Sequence, residues 1–129
     1  MSEKTIKNWK ALAEYDFETA AVMLETGRYL YVAFMCQQCI EKILKGIYVA
    51  EFHKTPPCTH SLVRLIDELS GHIVVSDSQR RICEELSYYY IESRYAEQIQ
   101  ELTRIATPEK AGEIYSLTKG FFECLRNKI

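Results

Sequence analysis

Gln38, Glu41, Lys42 and Lys45 follow one another at spacings that, on an α-helix, bring all four side chains to one face within two turns. Two ammonium groups beside an amide can hold a phosphate and a base edge. The same spacing makes Glu41 and Lys45 an ordinary solvent-exposed pair worth about 0.3 to 0.5 kcal/mol, and spacing alone favours that solvated-face reading. Tyr88, Tyr89, Tyr90, Arg94 and Tyr95 form the densest aromatic cluster. A guanidinium pairs bidentately with phosphate while a tyrosine ring stacks on a base. Tyr hydroxyls also find partners at the rim of a core, so Tyr89 and Tyr90 read first as packing residues. Arg94, at a helix end, is the stronger ligand candidate. His60 precedes a short helix, where a neutral imidazole either caps free amides or serves a site.

Cys36-x-x-Cys39, with His53, Cys58 and His60 following, raises metal and redox chemistry. Both cysteines fall on an apolar helical stripe and no second Cys-x-x-Cys exists, so they read as small buried hydrophobes and no metal ligand is assigned. Disulfide exchange would also want a βαβ setting, which the pattern lacks. There is no Gly-rich phosphate loop, no Gly-x-Ser-x-Gly and no His-Glu-x-x-His, so NTPase, serine-hydrolase and zincin readings have no starting point. No cofactor is expected.

The elements that must position these residues read as helices throughout. Ile6, Trp9, Ala13, Phe17, Ala20 and Leu24 recur at spacings of three and four, and Gly27 ends that helix in a tight link to an antiparallel second one. The second helix is expected over 31–52, with Val32, Cys36, Cys39, Ile40, Ile43 and Ile47 as its buried stripe. Gly46 inside it, and Gly120 inside the last helix, point first to close helix approach, with two tolerated glycines as the alternative. Pro56-Pro57 forces an extended connection, after which Thr59 or His60 caps a short helix bearing Leu62, Leu65, Ile66 and Leu69, stopped by Gly71. Ser76-Asp77-Ser78 starts a fourth helix carrying Ile82, Leu86 and Tyr89 and ending near Ser93. The stretch 94–106 has no clear period. Thr107-Pro108-Glu109 is a helix start for a segment with Ala111, Ile114, Phe121 and Leu125. Apart from the short run 73–76, nothing alternates as a strand does. The expected architecture is all-α, an up-and-down bundle of four to five helices in a single domain, 1–129.

Composition sets the outer bounds. At 129 residues the chain has room for one core. Hydrophobic residues at 47% and charged residues at 26% exclude general disorder. Sixteen Lys and Arg against eighteen Asp and Glu leave a net charge of -2, so any contact with nucleic acid must be local. Five Cys and a polar amphipathic start lead to the expectation of a reducing, cytoplasmic setting. The apolar stretch 29–52 is broken by Gln37, Gln38, Glu41, Lys42 and Lys45, which a membrane span would have to bury, so no membrane role is expected.

Asp16 in the first helix, Gly27 with Tyr29, the run Cys36-Gln37-Gln38-Cys39-Ile40-Glu41-Lys42-Ile43-Leu44-Lys45, Thr59-His60-Ser61-Leu62 and Ser93-Arg94-Tyr95 together resemble the HEPN domain family across nearly the whole chain. The resemblance implies an all-α bundle, often dimeric, frequently encoded beside a small nucleotidyltransferase in a toxin–antitoxin-like pair, and associated with nucleotide or RNA binding. Many relatives are ribonucleases using an Arg followed a few residues later by a His, to stabilise the phosphorane and move the proton of the 2′-hydroxyl. Here the positions where that His should stand are Ile99, Gln100 and Glu101, and Ala96 replaces the family's Pro after Arg-Tyr.

Matching the motif residue by residue carries over Gln38, Glu41, Lys42, Lys45, His60, Arg94 and Tyr95 as nucleotide- or RNA-binding candidates and no catalytic residue. The leading expectation is a non-catalytic interaction module, a homodimer partnered by a small nucleotidyltransferase. The alternative is a metal-independent ribonuclease with a degenerate active site, in which His60 from another part of the fold substitutes for the missing motif His beside Arg94.

Overall fold

The three- and four-residue apolar spacing of the first segment produces α1 (Glu3–Glu25), the opening helix of a computed structural model that describes residues 3–129. Gly27 takes φ +79°, a left-handed conformation that costs glycine no Cβ clash. The Arg28 amide there donates back to the Met23 carbonyl at 2.8 Å. The chain thereby reverses into α2 (Tyr29–Phe52), which begins two residues earlier than its periodicity suggests.

All six residues of the expected α2 stripe are buried. The helix is apolar on more than one side, since Ala33, Leu44 and Val49 are buried as well. The reason is its place in the bundle: α2 packs against α1, against the two long helices that span Asp77–Glu92 and Pro108–Arg126, and against the two short helices α3 (Leu62–Glu68) and α5 (Ile99–Ile105). Helices α4 (Asp77–Glu92) and α6 (Pro108–Arg126) complete the four long elements. No strand forms among the described residues, only an isolated bridge between Ser70 and Ile73. No described helix is long and apolar enough to cross a membrane.

Gly46 lies where α1 crosses α2. A Cβ there would stand 3.0 Å from both Trp9 Cβ and Ile129 Cδ1, so the expected close approach is present. Gly120 differs from expectation: a Cβ would meet nothing within 4 Å, and that glycine is simply an exposed helical position.

The caps follow local chemistry. Ser76 and Gln79 form a reciprocal capping box on α4, and Thr107 accepts from the Lys110 amide with Pro108 in the first turn of α6. On α3 the cap is Ser61, whose Oγ accepts from the Arg64 amide at 3.2 Å, not Thr59 or His60. Thr59 Oγ1 accepts from the Ser61 amide one step earlier in the turn, and the His60 ring is drawn elsewhere. The unassigned stretch after α4 folds as a 3-10 turn (Ala96–Gln98) running into α5, held down by the buried Leu102.

Candidate functional site

The polar positions of α2 divide between two surroundings. Gln37 and Glu41, one turn apart, face the connection that leads into α3, and Lys45 stands one further turn along. Gln37 is fully buried, and the Glu41 and Lys45 side chains are only 6% and 10% exposed. The solvated-face reading of this helix is therefore overturned for Glu41 and Lys45, because α1 and the following connection close over them.

Glu41 is the hub. Its Oε1 accepts from Gln37 Nε2 at 3.0 Å and lies 3.0 Å from His60 Nδ1, while Oε2 accepts from Lys45 Nζ at 3.1 Å. Gln37 Nε2 also donates to the His60 carbonyl at 3.1 Å, and Gln38 Nε2 donates to Gln37 Oε1 at 2.6 Å. Burial would push the Glu41 carboxyl up, but the hydrogen bonds from Gln37, His60 and Lys45, with the ammonium charge of Lys45, outweigh it and hold the carboxyl below its ordinary range. Lys45 lies 5.9 Å from the centre of the Trp9 ring, so α1 supplies an aromatic face to the same ammonium.

Lys42 turns the other way. Its ammonium pairs with Asp16 of α1, which makes the pair an inter-helix tie rather than part of the Glu41 cluster.

The imidazole of His60, held to this cluster through Nδ1, also lies against the Tyr90 ring of α4, centroids 5.1 Å apart. Four residues on from Tyr90, the Arg94 guanidinium sits 4.8 Å from the centre of the same ring and donates to the Tyr90 hydroxyl at 2.9 Å. His60, Tyr90, Arg94 and Tyr95 line a recess of about 190 Å³. Ser87, also in its wall, has a buried hydroxyl with no hydrogen-bond partner among the described residues. Arg94 has no carboxylate partner among the described residues. A planar cation with unspent donors, an imidazole and two phenol rings around a small recess suit an anionic ligand with an aromatic part.

His60, Arg94 and Tyr95 thus come together at the recess, and Glu41, Lys45 and Gln38 stand behind His60 through the hydrogen-bonded cluster. Lys42 does not join them. Tyr90, read first as a packing residue, stands in the recess wall, and motif spacing did not single out Gln37 or Ser87. Gln37 precedes Glu41, and Tyr90 precedes Arg94, by one helical turn, so the i,i+4 rule was the available signal for both. Ser87 left no comparable trace.

Cys36 and Cys39 are enclosed in the core. Burial pushes the Cys36 thiol up to about 12 and the Cys39 thiol well above its usual value, so neither presents a thiolate.

Comparison with known proteins agrees with this fold. The crystal structure of TT1696 from Thermus thermophilus is similar, with a TM-score of 0.82 and 25% identity, over 96% of this chain and 98% of that one. No curated protein matches the chain. The sequence matches the HEPN domain over residues 6–128, nearly its full length, and on that match the chain belongs to the HEPN domain family.

Proposed function

We propose that this HEPN domain is a nucleotide- or RNA-binding interaction module, cytoplasmic and non-catalytic, acting as a homodimer beside a small nucleotidyltransferase in a toxin–antitoxin-like pair. The observation that carries the binding part is the Arg94 guanidinium, lying on the Tyr90 ring in the recess that His60 also lines, with no carboxylate partner among the described residues. The ring contacts continue from Tyr90 to Phe34 and on to Tyr31, an aromatic row along which successive bases of a single strand can stack. Ile91 and Tyr95, both exposed and both in the recess wall, provide apolar surface at its rim for a second copy. The nucleotidyltransferase partnership and the toxin–antitoxin role rest on family resemblance.

Calorimetric titration of a short single-stranded RNA into wild type and Arg94→Ala tests the binding. Loss of binding in the variant with a melting temperature near that of wild type supports the reading. Unchanged binding, or a large fall in stability, makes Arg94 a structural residue. Co-purification with a co-expressed nucleotidyltransferase, and sedimentation of the isolated chain, test the two assembly statements.

A ribonuclease reading is favoured by one observation: His60 and Arg94, far apart in sequence, border the same recess. Labelled RNA incubated with wild type and His60→Ala decides it. Cleavage lost in the variant supports it, while equal cleavage by both, or none by either, removes it.

A further inference from the structure

His60 is held from behind. One ring nitrogen, Nδ1, faces Glu41 Oε1 at 3.0 Å, while Nε2 has no partner among the described residues and the side chain is 54% exposed. Glu41 is itself fixed on three sides by Gln37, Lys45 and the imidazole, with both oxygens occupied. An ionised carboxylate only accepts hydrogen bonds, so the Nδ1 side of the contact must carry the hydrogen. Whatever proton the ring gains or loses is then on Nε2, and a neutral ring presents Nε2 as an acceptor.

An acceptor selects ligands that bring a donor. His60 and Arg94 both line the recess and lie 5.1 Å and 4.8 Å from the centre of the Tyr90 ring, a span that one nucleotide can bridge. A phosphate belongs on the guanidinium, and the donor a nucleotide carries near its phosphate is the ribose 2′-hydroxyl. Resting on the binding reading above, we propose that the buried Gln37–Glu41–Lys45 set pins His60 through Nδ1, so that Nε2 accepts the 2′-hydroxyl of a nucleotide whose phosphate lies on Arg94, making the recess selective for ribose. His60 and Arg94 are the ligand-touching groups. Glu41, with Gln37 and Lys45, is a positioning residue.

The test compares three tetranucleotides of one sequence, uracil throughout, with ribose, deoxyribose and 2′-O-methyl ribose, titrated into wild type, His60→Ala and Arg94→Ala. One lost hydrogen bond of ordinary strength predicts about fivefold to tenfold weaker binding of the deoxy and 2′-O-methyl strands by wild type. In His60→Ala the ratio of ribose to deoxyribose affinity collapses toward one. Arg94→Ala loses affinity for all three. Nitrogen-15 spectra of the His60 ring in wild type supply an independent readout, with the proton of the neutral ring expected on Nδ1 and mixed tautomers in Glu41→Gln. Equal ribose and deoxyribose affinities, a preference that survives His60→Ala, or a proton on Nε2 of the neutral ring would overturn the inference and leave the binding reading standing. Failure of every strand to bind overturns both.

Discussion

Replacing Glu41 by Gln removes one charge from a buried pair and leaves its volume almost unchanged. The carboxylate is the ion-pair partner of Lys45, whose side chain is only 10% exposed, and among the described residues that ammonium also faces the Trp9 ring at 5.9 Å. Removing one partner of a buried pair costs about 3 to 5 kcal/mol, mostly the penalty of a buried charge left alone. The residual exposure of Lys45 places the expectation at the lower end, about 3 kcal/mol. With an ordinary urea slope of about 1.5 kcal/mol per molar, the midpoint falls by about 2 M. The sign with pH follows from the depressed carboxyl of Glu41. Its contribution is complete above the ordinary glutamate value of about 4.3 and is lost as pH falls through the lower folded value. The gap between wild type and Glu41→Gln therefore narrows as the pH falls through that folded value. Urea denaturation at several pH values, followed by circular dichroism, measures both effects. The double variant Glu41→Gln with Lys45→Met recovers most of the loss, since no charge is then stranded. A Glu41→Gln penalty below about 0.5 kcal/mol, the size of an exposed pair, or a gap indifferent to acid, would refute the assignment of Glu41 as a buried, charge-balanced hub.

Gly46→Ala and Gly120→Ala should differ in sign. The first forces a Cβ against Trp9 and Ile129 and, after the gain in helix propensity, costs about 1 kcal/mol net; the second meets nothing and stabilises by up to about 1 kcal/mol, both read from denaturation midpoints. Ser76→Ala breaks the α4 capping box and lowers stability by about 1 kcal/mol. Lys42→Ala unties α2 from Asp16 of α1 and lowers the melting temperature while RNA affinity stays at the wild-type value; a loss of affinity without a loss of stability would return Lys42 to the binding surface.

The helices were legible because their causes are local. Apolar residues at spacings of three and four, Gly27 where a positive φ is needed, Ser76 with Gln79, and Thr107 before Pro108 each specify an element or its end within a few residues of chain. Cys36 and Cys39 could be placed in the core for the same reason, since they lie on the stripe that faces it. Family membership was legible too, because the motif run of α2 and the short His60 and Arg94 elements keep their order along the chain.

What only the tertiary structure decided is which polar residues are enclosed and which meet. Gln38, Glu41, Lys42 and Lys45 share a helical face by period, but burial depends on what packs over that face, and the period carries no record of α1 or of the connection through His60. So Glu41 became a buried hub while Lys42 was taken by Asp16, and Tyr90 became the surface on which His60 and Arg94 are neighbours. Helical periodicity reports angles about one axis. Charge pairing and the recess depend on distances between axes, and those are set only when the helices pack.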